Sequence, residues 1–294
     1  LYNAADKDGI ADMYHLIMAP RESAPRESSP REAAAERQDR FDSFKAVGQM
    51  SLVRTLGDGG TTLFHLCSGP TDQGHFHEDK GSIIIEAGGE SLAADRGVTD
   101  YHHPEVNLIG MASRHNLVYP ESTDGRLMRQ PRDEYGGRLT SAVWEREILL
   151  ACSDNREAWE TDLFTCNYRR ICSPTPNLIL LDDELIMPNP RAVSFRINTS
   201  LPVWTGTDIA EVRGSRYNLR LTPLNWTAEE TEAAEEGVDS HLVPTNVIRM
   251  ETGVANTHRL ITLLEIRRVG APDSWEALRG ERPTVKGTQG SIAI

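Results

Sequence analysis

The chain has 294 residues, of which 38% are hydrophobic and 26% charged, and its formal net charge at neutral pH is -13. This length and composition predict a globular protein that buries a substantial core, either as one large all-β domain or as two smaller units. The negative charge argues against nonspecific nucleic-acid binding, because that binding depends largely on Lys and Arg neutralising phosphates. No apolar run approaches the roughly 20 residues that span a bilayer, so we do not expect an integral membrane protein.

The N-terminal residues differ in pattern from the rest. Residues 1–19 place apolar side chains near i, i+3, i+4 spacing, which predicts a helix. Residues 20–40 contain three successive units that begin Pro-Arg-Glu, and a proline every five residues prevents a continuous helix, so we predict an exposed linker. The chain begins with Leu1 and lacks the pattern of a signal peptide there, so we expect it to be a piece of a longer protein.

From residue 41 onward the sequence consists of short alternating segments separated by turn residues. About a dozen such segments predict antiparallel sheets stacked as a β-sandwich. An acidic stretch, residues 227–239, has few apolar residues and is interpreted as a solvated loop or a short helix. The predicted strands include residues 47–55, 61–68, 81–87, 90–95, 115–119, 138–148, 161–171, 177–185, 192–200, 217–224 and 258–268.

The four cysteines give no clear pattern. Cys67, Cys152, Cys166 and Cys172 lack the C-x-x-C spacing of a zinc ribbon and are too sparse for a disulfide scaffold. Buried free thiols and one or two bridges both remain open, so the cysteines do not fix the compartment.

Two histidines, His75 and His77, flank Phe76 and precede a β-branched run. On an extended segment their side chains project to the same face. Asp95 ends one predicted strand and His115 begins the next, and two histidines with one carboxylate suit zinc while leaving one position open. Ligands far apart in sequence follow no spacing rule, so a metal site and unrelated polar residues both remain open on composition.

A cupin is one interpretation of the His-x-His pair. Gly69 stands six positions before His75, as the cupin pattern requires, but the expected glutamate after His77 is missing and Glu86 comes too late. This alternative requires Glu86 to bind a metal together with both histidines.

A fuller resemblance is to the C-terminal β-sandwich domain of the heparinase II/III-like polysaccharide lyases, a superfamily that includes alginate and other uronate lyases. It is strongest across "GHFHEDKGSIIIEAGGESLAADRGVTDY" and "SRHNLVY" and extends more weakly over residues 41–294. The matching residues, in order, are Gly74, His75, His77, Asp79, Gly81, Ser82, Gly88, Asp95, Gly97, His115 and Asn116.

The resemblance implies specific roles for four of these residues. His77, Asp95 and His115 would bind a structural Zn²⁺, and His75 would reach the catalytic cleft. Residues 1–19 would be the last helix of an (α/α) toroid that is mostly missing from the chain. The catalytic Tyr and the residue that neutralises the uronate carboxylate belong to that toroid in such lyases, and neither is assigned here.

The resemblance also implies a reaction and a substrate. Uronate lyases remove the proton next to a carboxylate and expel the 4-linked sugar by β-elimination, so the developing negative charge needs cations or hydrogen-bond donors. Arg96 and Arg114 adjoin two predicted ligands and are predicted to contact the acidic polysaccharide. The family resemblance further implies a periplasmic, cell-envelope or secreted protein. A zinc-stabilised sandwich that binds carbohydrate without turnover is the second hypothesis.

Overall fold

The structure, a computed structural model, describes residues 39–70, 76–99, 102–125, 128–131, 136–160, 162–207 and 209–271, and the backbone of three short strands after residue 274. The predicted helix at residues 1–19, most of the predicted linker and His75 lie outside the described residues. No helix in the described part of the chain is long and apolar enough to cross a membrane.

Strands dominate the described residues, with one short helix, α1 (Val106–Ile109), and two 3₁₀ turns at Ala112–Arg114 and Arg156–Ala158. The strands in chain order are β1 (Arg40–Phe44), β2 (Gln49–Thr55), β3 (Thr61–Cys67), β4 (Ser82–Ala87), β5 (Glu90–Ala93), β6 (Val118–Pro120), β7 (Arg138–Glu145), β8 (Ile148–Asp154), β9 (Cys166–Thr175), β10 (Leu178–Arg191), β11 (Val193–Thr199), β12 (Val203–Thr205), β13 (Ala210–Arg213), β14 (Tyr217–Pro223), β15 (Glu230–Val238), β16 (Pro244–Glu251), β17 (Ala255–Arg268), β18 (Trp275–Leu278), β19 (Thr284–Gly287) and β20 (Gly290–Ala293).

These strands form antiparallel sheets. One sheet has the order β1-β2-β3-β4-β5, a second has β12-β13-β14-β17-β10-β9-β8-β7, a third has β15-β16-β11-β6, and the last three strands pair with one another. Alternating burial along β2 places every second side chain in the interior, as expected for a strand with one solvated face. The predicted all-β antiparallel sandwich is confirmed.

Among the described residues, one large apolar core cluster contains side chains from each of the first three sheets. Met50 on β2, Ile85 on β4, Phe195 on β11 and Leu264 on β17 are all almost completely buried within it. Burying one such side chain stabilises the fold by roughly 1.5–3 kcal/mol relative to leaving it in water. The sheets therefore pack face to face rather than standing as independent units.

Gly88 permits one close approach in this packing. It turns the chain between β4 and β5 with a φ of +58°, a conformation that side chains disfavour. A Cβ atom at this position would lie 2.6 Å from the ring of Tyr217, at the start of β14. The glycine thus meets two requirements, the turn itself and room for the neighbouring aromatic ring.

The prediction for the acidic stretch at residues 227–239 was wrong, because most of it forms β15. This strand pairs along β16, with Ala233 opposite Ile248, so ladder hydrogen bonds outweigh the weak strand preference of glutamate. β15 is an edge strand, where charged side chains remain in water and discourage pairing with another chain.

Among the predicted strand ends that were wrong, two bear on the candidate ligands. β5 ends at Ala93, so Asp95 lies in the loop that follows. His115 comes directly after a 3₁₀ turn, and the next strand begins three residues later at Val118. The four cysteines are unpaired in the structure, and each is partly buried.

Candidate metal centre

Three loops bring His77, Asp95 and His115 together. One potential ligand atom from each lies within 4.8 Å of the others, and this is the metal-compatible group of His, Cys, Asp and Glu found among the described residues. Asp95 Oδ2 is 2.9 Å from His115 Nδ1, and the two imidazole rings are 5.3 Å apart between centroids. Two nitrogen donors and one carboxylate oxygen are a donor set that Zn²⁺ accepts.

Asp95 is held in its charged form. Burial alone would raise the pKa of this carboxyl, but the nearby His115 and the hydrogen bond from the Gly97 N–H to Oδ1 at 2.8 Å bring it well below its usual value. A partly buried carboxylate that accepts such bonds is ionised at neutral pH and ready to bind a cation.

The surroundings shift the pKa values of the two imidazoles in opposite directions. Burial lowers the pKa of His77, and the neighbouring His115 lowers it further. For His115, burial acts in the same direction, but contact with the Asp95 carboxylate outweighs it and raises the pKa. His115 Nε2 is buried and has no hydrogen-bond partner, which is costly for a polar atom unless something else binds it.

These observations fit a bound metal ion. His77, Asp95 and His115 would hold such an ion, which would neutralise the Asp95 carboxylate and give a partner to the unpartnered nitrogen of the His115 imidazole.

His77 does not lie in a strand, although an extended segment was predicted for it. It precedes β4 by several residues, and Gly110, just after α1, packs against its ring, where a Cβ atom would lie 3.2 Å from Cδ2. The next backbone N–H, that of Glu78, donates to Gly110 O at 2.8 Å. The histidine is therefore positioned by the loop after α1.

The buried side chain of Glu78 connects this loop to neighbouring segments by hydrogen bonds and an ion pair. Its carboxylate is 4% exposed and accepts hydrogen bonds at 3.2 Å from the N–H groups of Ala112 and Gln130. The guanidinium of Arg129 pairs with the other carboxylate oxygen. Gln130, fully buried, exchanges two side-chain hydrogen bonds of 2.9 Å with the backbone of Lys80.

An open cleft of about 830 Å³ adjoins the candidate centre. His77, Phe76, Asn107, Arg129 and Glu160 contribute to its lining. The Arg129 side chain is 46% exposed, so a positive group stands at the wall of the cleft while Glu78 holds its inner edge. Arg129 was not among the residues predicted from the sequence to contact substrate, and no sequence pattern marks Glu78 or Gln130 as its neighbours at the cleft.

Arg96 and Arg114, predicted to contact substrate, lie largely inside the protein. Arg96 is 2% exposed, and its Nε and Nη2 have no hydrogen-bond partner. Burial and the nearby Arg114 lower the pKa of Arg96 to about 10. Arg114 forms an ion pair with Glu236, which also pairs with Arg196. Their role toward substrate stays a prediction.

The neighbours of His77 disfavour the cupin alternative. Asp95 and His115 stand beside His77, whereas Glu86 lies on β4 and accepts a hydrogen bond from Ser91 Oγ at 3.3 Å. The sheets form an open sandwich rather than the closed barrel of a cupin.

Fold and site together define an antiparallel β-sandwich that carries a His/Asp/His donor set beside a cleft. Among solved structures, heparan sulfate lyase HepC from Pedobacter heparinus is similar, with a TM-score of 0.67 and 14% identity over 86% of this chain. Heparinase III is similar with a TM-score of 0.65 and 15% identity over 87% of this chain. No protein-family model matches the sequence, and no curated protein matches it.

This likeness confirms the fold expected from the resemblance. The chain has the same β-sandwich architecture as part of these lyases, and it spans 42% of the length of each of the two. The identity is low, so function has to be argued from the site itself.

Proposed function

We propose that this β-sandwich is the C-terminal domain of a polysaccharide lyase that cleaves a uronate-containing acidic polysaccharide by β-elimination. The observation that carries the proposal is the convergence of His77, Asp95 and His115 beside an open cleft, in a fold similar to that of heparan sulfate lyases. The proposal includes a periplasmic, cell-envelope or secreted location, where such polymers are found.

In this proposal His77, Asp95 and His115 hold a structural Zn²⁺. The ion would supply a fixed charge that ties three loops together. His75, two residues before His77, contacts the sugar at the cleft and takes part in proton transfer. The order of the sequence supports this division, because only Phe76 separates His75 from His77.

Positive charge for the anionic sugar comes from arginines in this proposal. Arg129 offers a half-exposed guanidinium on the cleft wall, and Arg114 offers a partly exposed one near the ligand loops. Arg96 contributes its field from beneath the surface. Guanidinium groups suit carboxylate and sulfate because their planar N–H groups match two oxygens at once.

The test of the function is formation of the unsaturated uronate product, followed by its ultraviolet absorbance. The 294-residue chain and the complete product of its gene are each incubated with heparan sulfate, alginate and related polymers. We expect product from the complete gene product on at least one uronate polymer. No product on any of them, with folded and zinc-loaded protein, would contradict the proposal.

A second function is a zinc-stabilised sandwich that holds carbohydrate without turnover. It requires only the β-sandwich and the His/Asp/His donor set, and no group for proton transfer. Binding of uronate oligosaccharides in a calorimetric titration, with no product from either protein, would establish this function in place of the first.

Arg129 provides a prediction within the proposed function. We expect Arg129→Ala to raise KM for the uronate polymer about tenfold with a smaller change in kcat, since one charge-assisted hydrogen bond contributes about 1.5 kcal/mol. Arg129→Lys keeps the charge and should lose less. The matched control is Arg138→Ala, an exposed arginine paired with Asp154. Equal KM values for all four proteins would show that Arg129 does not contact substrate.

A further inference from the structure

Two buried asparagines, Asn116 and Asn198, lie behind the candidate metal centre. Both are fully buried, and every hydrogen-bonding atom of the Asn116 amide has a partner. Its Oδ1 accepts from both Asn198 N at 2.7 Å and Asn198 Nδ2 at 2.9 Å. The two side chains are thus bonded to each other in a region that excludes water.

The pair holds the residue that precedes the Asp95 ligand from both sides. Asn116 Nδ2 donates to Ala94 O at 3.0 Å, and Ala94 N donates to Asn198 O at 2.8 Å. The backbone at Ala94 therefore cannot rotate without breaking a bond to one of the two asparagines. The loop that carries Asp95 is fixed at its base.

The same pair holds the residue that precedes the His115 ligand. Asn198 Nδ2 donates to Arg114 O at 3.1 Å, and Asn116 itself directly follows His115 in the chain. Asn116 Nδ2 also donates to Ile83 O at 2.8 Å, which connects this segment to β4. The same two buried asparagines therefore hold both ligand loops by hydrogen bonds inside the sandwich.

We infer that Asn116 and Asn198 are positioning residues that set the spacing of Asp95 and His115 before any metal binds. The inference rests on the metal centre of the proposed function. A donor set assembled in advance does not lose chain entropy on binding, whereas loosened ligand loops must be ordered at the expense of affinity. Partners behind metal ligands commonly change affinity by about 10- to 100-fold when they are replaced.

Isosteric substitution is the direct test, because aspartate keeps the shape of asparagine and removes its N–H donors. Zn²⁺ affinity of the 294-residue chain is measured by competition with a chromophoric chelator. We expect Asn116→Asp and Asn198→Asp each to weaken Zn²⁺ binding by about 10- to 100-fold. The double variant should lose less than the product of the two effects, because the residues act as a unit.

The control separates positioning from general stability. Asn155 is also buried, donates to Ser153 Oγ and accepts from Ser68 Oγ, but contacts neither ligand loop through these bonds. Asn155→Asp should lower the melting temperature of the metal-free chain while leaving Zn²⁺ affinity unchanged. Visible spectra of the Co²⁺-loaded chain should shift for the Asn116 and Asn198 variants and stay constant for the control.

The outcomes are distinct. Wild-type Zn²⁺ affinity and Co²⁺ spectra in the variants would overturn the inference while leaving the metal centre in place. If Asn116→Asp does not fold, Asn198→Asp decides the result on the same two readouts. Absence of Zn²⁺ binding by the wild-type chain would overturn the metal centre and this inference together. Lyase assays are not needed for any of these results.

Discussion

His77→Ala is expected to abolish stoichiometric zinc binding. The wild-type chain should retain about one Zn²⁺ per chain after dialysis, because His77, Asp95 and His115 converge within 4.8 Å and His115 Nε2 is buried without a partner. Loss of one of three protein ligands leaves two donors, too few for a stable site. Metal content by atomic spectroscopy measures the effect directly.

Thermal melts provide the companion readout for His77→Ala. A ligand that binds only the folded state adds about 4 kcal/mol when its concentration exceeds Kd about a thousandfold. Chelator should therefore lower the melting temperature of the wild type and leave that of the variant unchanged. His258→Ala is the control, because this buried histidine is hydrogen-bonded to groups in another part of the sandwich. Equal metal content and equal melting behaviour for wild type and His77→Ala would remove the site.

Arg169→Met is expected to lower the free energy of unfolding by about 3–5 kcal/mol, because it leaves a buried carboxylate without its cation. Arg169 is 2% exposed and forms two bonds with Asp183, of 2.6 and 2.9 Å. Its third bond, at 2.6 Å, reaches Gly81 O at the start of the turn into β4. Urea denaturation of wild type and variant in the presence of zinc measures the difference.

A nearly identical pair at the surface is the control for Arg169→Met. Arg259 forms two bonds of 3.0 Å with Asp182, but its side chain is 56% exposed. Exposed pairs contribute about 0–1 kcal/mol, so Arg259→Met should change stability little. Replacing Arg169 and Asp183 together by apolar residues should recover much of the loss, since no unpaired charge remains. Equal effects at the two sites would show that burial is not the cause.

Sheet content followed from sequence because alternating burial is a local property. The segments around Leu52, Ile85 and Leu264 were predicted as strands, and each forms part of the core. β15 was missed because its stability comes from pairing with β16, and its own glutamate-rich sequence does not predict that contact. Strand order across the eight-stranded sheet likewise depends on long-range pairing and has no local pattern.

The candidate ligands were assigned from the sequence through the family resemblance. Composition alone left a metal site and unrelated polar residues both open for His77, Asp95 and His115, because their convergence depends on loops rather than on strands. Arg96 was chosen because it adjoins Asp95 in sequence, but its burial depends on how the loops after β5 and β15 fold over it. Closeness to a predicted ligand in sequence therefore identified a residue near the site, but it did not predict how far the side chain of that residue is exposed.

The hydrogen bonds between Gln130 and Lys80 make position 130 less tolerant of mutation than position 80. Gln130 binds the backbone N–H and C=O of Lys80, groups that almost every residue at position 80 would still present. Only an amide side chain of the same length offers both a donor and an acceptor from position 130. This contact therefore constrains the residue at position 130 but not the residue at position 80. Homologous sequences that keep this wall of the cleft are expected to have an invariant glutamine at position 130 and a variable residue at position 80.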